Sequence, residues 1–244
     1  MSRLLALVFL LAASRFAGWA PAVQAEEPPV DLAIVLAVDS SGSINTERYF
    51  MQLRGYAGAL TSPEILNEIL SGRHHRIAVT YFEWADAKRV ARVVPWTVID
   101  GKESAAKVAD LLAAHRRQLV GDTCIGCAIE EAMKLFAELP YKPDRKVLDI
   151  SGDGESNAGP PVGEPRALAL SQDITINGLP IVTAYEPNLA HYYQSEVIGG
   201  PGAFVIAARG FDDFTRAIGA KLLREIADRG TAPSQLAEIR RGPK

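Results

Sequence analysis

The sequence predicts an α/β fold, a doubly wound, mostly parallel open sheet of about six strands with helices on both faces. Three observations carry this expectation. Short runs rich in Val, Ile and Leu alternate with amphipathic stretches along the chain, which is the order of a parallel sheet with crossover helices. One run, residues 32–38, is seven apolar residues without a break, as a strand buried on both faces requires. No internal repeat divides the chain, so one domain over residues 26–229 takes up every element.

The elements follow in order. Residues 32–38 are the first strand and end at Asp39. Asn45-Thr46-Glu47 opens a helix whose apolar face is Phe50, Leu53, Ala57 and Leu60. Residues 77–82 and 89–96 form a hairpin around Ala85-Asp86. Val108, Leu111, Leu112, His115 and Leu119 repeat at the helical period, as do Ile129, Ala132, Met133 and Phe136. Strands at 147–151, 174–184 and 203–207 complete the sheet. Phe211, Phe214, Ile218 and Leu222 mark the last helix.

The ends have a different character. Arg3, the apolar run 4–13 and Val23-Gln24-Ala25 before Glu26-Glu27 have the order of a secretory signal peptide over residues 1–25. Ten apolar residues are too few for a bilayer span, and no cysteine near the cleavage point invites a lipid anchor. The mature protein is expected in the periplasm or secreted to the medium, with no stable membrane insertion. Residues 230–244 mix Pro, Gly and charges and read as a flexible tail.

Composition narrows the function. Of 244 residues, 26 are Lys or Arg and 29 Asp or Glu, for a net charge of −3. With no basic block, nucleic acid is not an expected partner. Two cysteines exclude a disulfide-built scaffold.

In an open parallel sheet, ligands bind beyond the carboxyl ends of the strands, and two of those ends carry conspicuous oxygen donors. Asp39, Ser41 and Ser43 are spaced i, i+2, i+4 on a turn containing Gly42. Asp153 lies between Gly152 and Gly154, after the 147–151 strand. Thr123 follows Gly121-Asp122 just before a helix. Two carboxylates and three hydroxyls form a hard donor set that suits Mg²⁺, Mn²⁺ or Ca²⁺ rather than zinc or copper. Taken alone, Asp and Ser after a strand serve as helix caps about as often.

Together these pieces resemble a von Willebrand factor A (vWA) domain, over nearly all of the mature chain. Asp149-Ile150-Ser151-Gly152-Asp153-Gly154 and Thr175-Ile176-Asn177-Gly178-Leu179-Pro180 resemble more closely an exported bacterial family of unknown function that contains this domain. The resemblance implies a metal-ion-dependent adhesion site (MIDAS). Ser41 and Ser43 would bind the ion directly, Thr123 directly or through water, and Asp39 and Asp153 through waters or hydrogen bonds. Neutral direct ligands leave the ion's charge undercompensated, so an acidic residue of a partner protein would complete the shell. Mg²⁺ is the expected ion. One departure is Gly152, where the family usually has Thr. Asp122 is assigned a supporting or surface role.

Cys124 and Cys127 sit beside Thr123 at a helix start. Three fates are open to them: a small disulfide stiffening the loop, unlinked buried thiols, or a thiol-redox couple. An oxidising compartment and the absence of a thioredoxin-like context favour the disulfide. His74, His75, His115 and His191 have no metal-ligand spacing and read as surface or core residues. No G-x-S-x-G, P-loop or H-E-x-x-H motif is present, and Glu155 is the one base near the cluster. An enzyme, whether a metal-dependent hydrolase or a thiol-redox protein, is therefore the alternative to a protein-binding module. Residues 155–165, rich in proline, are expected to form the rim of the site. Tyr192 and Tyr193 are expected either as partner anchors or as core.

Overall fold

The first long strand shows why the sheet lies at the centre of the fold. The computed structural model describes residues 28–86 and 89–229; the signal-peptide and tail assignments fall outside them. β1 (Pro29–Val30) leads into β2 (Leu32–Asp39), and every residue of β2 is buried. Leu32, Ile34, Leu36 and Val38 enter one core cluster, and Ala33, Val35 and Ala37 enter the other. Side chains alternate across a strand, so an unbroken apolar run supplies both layers at once.

α1 (Thr46–Leu60) and α2 (Pro63–Leu70) follow, then β3 (Ile77–Trp84) and β4 (Val90–Ile99). Asn45 caps α1 by accepting from Arg48 N at 2.9 Å. Ser62 caps α2 by accepting from Ile65 N, with Pro63 at the first turn, where its missing N–H is harmless. Next come α3 (Lys102–Ala114), α4 (Ile125–Ala137), β5 (Lys142–Pro143) and β6 (Lys146–Gly152). The chain then runs through α5 (Gly163–Ser171), β7 (Ile174–Val182), α6 (Leu189–Tyr192), β8 (Ala208–Arg209) and α7 (Phe214–Ala227). The sheet order is β4-β3-β2-β6-β7-β8, with only the β3–β4 pair antiparallel. α1, α2, α3 and α7 cover one face, and α4, α5 and α6 the other.

Several local expectations are corrected. The buried side of α1 centres on Tyr49, Gln52, Leu53, Tyr56, Ala59 and Leu60, while Phe50 and Ala57 pack only at its margin. α3 stops at Ala114, leaving His115 as its C-cap, Leu111 exposed and Leu119 in a coil. The final strand is two residues at Ala208–Arg209, and the 203–207 stretch contributes a single bridge from Val205 to Gly178. α5 starts at Gly163, so the end of the expected 155–165 rim is helical.

The core also holds charge. Lys221 of α7 is fully buried, with Nζ 2.6 Å from Asp149 Oδ1 and 2.5 Å from Glu225 Oε1. Asn177 donates to the same Glu225 oxygen at 2.8 Å and accepts from Phe204 N at 3.1 Å. This network ties β6, β7 and α7 together and turns Asp149 away from any site chemistry. Burial raises the Asp149 carboxyl above its ordinary range, against the pull of Lys221. Replacing Lys221 by Met strands two buried carboxylates, so urea unfolding at pH 7 should show a loss of about 3–5 kcal/mol. The loss should shrink at pH 5, where the stranded Asp149 carboxyl takes up a proton.

Candidate metal centre

β2 and β6 are parallel neighbours, with Val38 opposite Ser151. Their carboxyl ends release Asp39 and Asp153 side by side. This is also where the chain, having built β3 and β4 on one side of β2, crosses to build the other side. A crevice opens at such a switch because successive crossovers leave in opposite directions.

Asp39 is fully buried, and its Oδ1 accepts from Ser41 N at 2.7 Å. A short Asp turn of this kind folds the chain back on itself. It sets the Ser41 and Ser43 hydroxyls 3.1 Å apart, and Ser43 Oγ donates to Asp153 Oδ1 at 2.5 Å. Ser41 and Asp153 are buried, whereas Ser43 is exposed at the mouth. Thr123 is buried, its hydroxyl 3.9 Å from where a Cβ on Gly154 would stand. Hydrogen bonds thus join Asp39, Ser41, Ser43 and Asp153 in one chain of contacts, with Thr123 beside Gly154, the residue after Asp153.

Contacts not evident in the sequence hold the loops. Arg117 Nη2 donates to the carbonyls of Ser40 at 3.0 Å and Ser41 at 2.7 Å. Gly42 N donates to Gly121 O at 2.8 Å, joining the serine turn to the Thr123 loop. Asn157 accepts from Thr123 N and returns its own N–H to Thr123 O, both at 2.8 Å. Glu83, buried at the end of β3, accepts from Tyr49 Oη at 2.6 Å and lies 3.4 Å from His115 Nε2, which anchors the coil carrying Arg117.

Cys124 and Cys127 form a disulfide, and the Cys124 sulfur caps α4 by accepting from Cys127 N at 3.2 Å. Gly159 packs on it with φ +70°, a left-handed conformation that suits glycine. A Cβ there would overlap both sulfurs, so the loop after Asp153 closes directly over the bridge.

The remaining candidates stand outside this hydrogen-bonded cluster. Asp122, Glu155 and His191 are exposed. Tyr192 accepts from Ser156 N at 3.3 Å, and Tyr193 is completely buried, a core residue rather than a surface anchor. His74 joins a group the sequence did not reveal, at the opposite, amino-terminal edge of the sheet. There, donor atoms of Asp31, His74 and Asp144 lie within 4.8 Å of one another. Asp31 accepts from His74 N at 2.9 Å, and His74 Nε2 pairs with Asp144 Oδ2 at 3.3 Å. The residues preceding β2, β3 and β6 meet because those strands are adjacent, a proximity that linear spacing hides.

The electrostatics of the main cluster fit a cation. Burial, reinforced by the charge of Asp153, pushes the Asp39 carboxyl up to about 7. Burial also raises Asp153, against its bond from Ser43 and the charge of Arg48, whose Nη1 lies 4.0 Å from Oδ2. Asp39 Oδ2 is buried without a protein partner. Two undercompensated carboxylates among three hydroxyls match the oxygen-donor preference of a hard divalent ion.

Comparison with known proteins agrees on the fold. A family model described as "Protein of unknown function (DUF1194)" matches residues 29–230. No curated protein sequence matches the chain significantly. Among solved structures, proximal thread matrix protein 1 from the mussel byssus, with a zinc-occupied MIDAS motif, superposes with a TM-score of 0.57 at 20% identity. The match covers 84% of this chain and 49% of that one. The pilus adhesin SpaC from Lactobacillus rhamnosus GG gives 0.58 at 14% identity, over 84% of this chain and 31% of the adhesin. A von Willebrand factor type A protein from Catenulispora acidiphila gives 0.52 at 16% identity, over 82% and 43%. This chain thus spans about half of the mussel protein and about a third of the adhesin. Its fold is that of a vWA domain.

The raised Asp39 carboxyl makes a pH-dependent prediction. Between the ordinary value of 3.8 and about 7 the folded state holds a proton on Asp39 that the unfolded chain has lost. Its contribution to stability therefore falls as pH rises through that window. In EDTA, Asp39→Asn should melt above the wild type at pH 7.5, and the gap should close toward pH 5. A gap independent of pH would show that ionisation of Asp39 is not its cause.

Proposed function

This chain belongs to the DUF1194 family, and we propose that it is an exported protein-binding module working through a metal-ion-dependent adhesion site. Asp39, Ser41, Ser43, Thr123 and Asp153 would hold a divalent cation, with Mg²⁺ favoured over Mn²⁺ and Ca²⁺. The cation would in turn hold an acidic residue of a partner protein. The observation that supports this reading is the hydrogen-bonded convergence of Asp39, Ser41, Ser43 and Asp153, with two undercompensated carboxylates among them and Thr123 beside Gly154. Export rests on the leader read in residues 1–25, and the module occupies residues 26–229. Among the described residues, no helix is long and apolar enough to cross a membrane.

In this reading each side chain has a distinct task. The exposed Ser43 and the Thr123 loop border the mouth, where the partner's carboxylate would arrive. Ser41 and Ser43 offer neutral oxygens, so the ion keeps most of its charge for that carboxylate. Asp39 and Asp153 orient those hydroxyls, and Arg117 and the disulfide keep the loops from relaxing. Beside the mouth lies a cleft of about 660 Å³ lined by Arg48, Met51, Val182, Arg209 and Phe211. It offers room for the residues flanking the captured acid. Glu155, the base a hydrolase would need, is exposed and outside the hydrogen-bonded cluster, while Cys124 is fully buried. Both facts favour binding over metal-dependent hydrolysis or thiol-redox chemistry.

Calorimetric titration of Mg²⁺, Mn²⁺ and Ca²⁺ into the metal-stripped protein tests this reading. The wild type should bind, Asp39→Ala should bind about 10- to 100-fold more weakly, and Ser41→Ala should lose a direct ligand and bind more weakly still. Equal heats from all three proteins, or none from any, would reduce the cluster to helix caps.

A further inference from the structure

Tyr193 occupies space that two other residues leave free for it. Gly152 ends β6, and a Cβ there would stand 2.9 Å from Tyr193 Oη and 3.0 Å from Asp39 Oδ2. Gly178 lies on neighbouring β7, and a Cβ there would stand 2.7 Å from Cδ1 of the same tyrosine. Glycine in a strand interior weakens packing and often marks a close approach by another group. Here two strands carry one each, and both admit the same ring. The phenol enters from the first position of a single π-helical turn (Tyr193–Val197), an irregularity frequent at functional sites.

The end of that ring is the unusual part. Tyr193 is fully buried, yet its hydroxyl has no protein partner, and neither has Asp39 Oδ2. An orphaned buried polar group is costly and calls for a reason. The two orphans lie within 3.0 Å of one point, the absent Cβ of Gly152. One is a neutral donor and the other a carboxylate acceptor. The opposite oxygen, Asp39 Oδ1, is already held by Ser41 N.

Resting on the metal-site reading above, we infer that Tyr193 is a positioning residue of that site, its hydroxyl reserved for Asp39 Oδ2 to fix the carboxylate once the cation binds. Asp39 is then gripped on both oxygens, by the serine turn on one side and by the phenol on the other. The serine hydroxyls inherit that fixed orientation through the same turn. A bare Gly152 is the condition for this arrangement, because any side chain there would separate the two oxygens.

Tyr193→Phe removes one oxygen and keeps the ring, so folding should survive. Calorimetry with Mg²⁺ and Mn²⁺ should show affinity lowered by about 10- to 100-fold, while the melting temperature of the metal-free protein stays level or rises. In wild type labelled with ¹³Cζ-tyrosine, the resonance missing from Tyr193→Phe should shift on Mg²⁺ addition. Affinity within twofold of wild type would overturn the inference, as would weaker binding accompanied by an equal loss of metal-free stability. Asp39→Ala run alongside separates the two ideas. If the wild type binds, Asp39→Ala does not and Tyr193→Phe binds normally, the role of Tyr193 fails and the metal site stands. If the wild type binds no ion, both fail.

Discussion

Two carboxylates that burial has stripped of water, delivered side by side by the β2–β6 pairing, are the constraint around which this site is organised. The register sets Val38 against Ser151, and the chain leaves both strands one residue later. An ionised carboxylate away from water needs compensation, and the protein supplies only part of it. Asp39 receives the Ser41 N–H and Asp153 the Ser43 hydroxyl, both neutral donors. Natural sites of this kind trade stability for function, because a fully neutralised pair would have no use for a cation.

The surroundings keep that imbalance from relaxing. Left free, the serine turn could swing out and hydrate its carboxylates. Arg117 prevents this by gripping two successive carbonyls of the turn, while the Gly42–Gly121 bond and the Asn157–Thr123 pair join all three loops. The disulfide and Gly159 close the remaining side. At the middle of β6, by contrast, Lys221 brings a cation of the chain's own against Asp149 and Glu225.

What the sequence revealed, it revealed through local rules. The seven-residue apolar run of β2 reads as a strand covered on both faces, and turns rich in oxygen after such strands point to the switch-point crevice. Missed features arose where tertiary contacts overrode periodicity. Leu119 fits a helical repeat with Leu112, yet the coil after Ala114 unwinds so that Arg117 can reach the serine turn. Ala203 to Ala207 has strand composition, but the glycines at 200 and 202 take positive φ, and beyond the single Val205–Gly178 bridge the chain pairs with β7 only farther on. Tyr193 looked equally suited to surface or core, because nothing in linear sequence links it to Gly152 and Gly178. His74 met Asp31 and Asp144 only through strand adjacency.

Structural likeness at 14–20% identity fixes the fold and leaves function to the site, so the decisive question is whether this chain could neutralise its own acids without an ion. Arg48 is the nearest candidate. Its guanidinium is 4.0 Å from Asp153 Oδ2, with about a third of the side chain exposed. At that separation, with Arg48 part-exposed, the pair does not offset burial of Asp153, whose carboxyl remains raised despite Arg48. Arg48 also donates to Ser43 O and stacks on the Phe211 ring at 4.9 Å, which commits it to the cleft wall rather than to the carboxylates. Asp39 has no side-chain cation among its bonded partners and keeps one oxygen unmatched. A small doubly charged ion among the hydroxyls is the group whose charge and oxygen preference would answer both deficits at once.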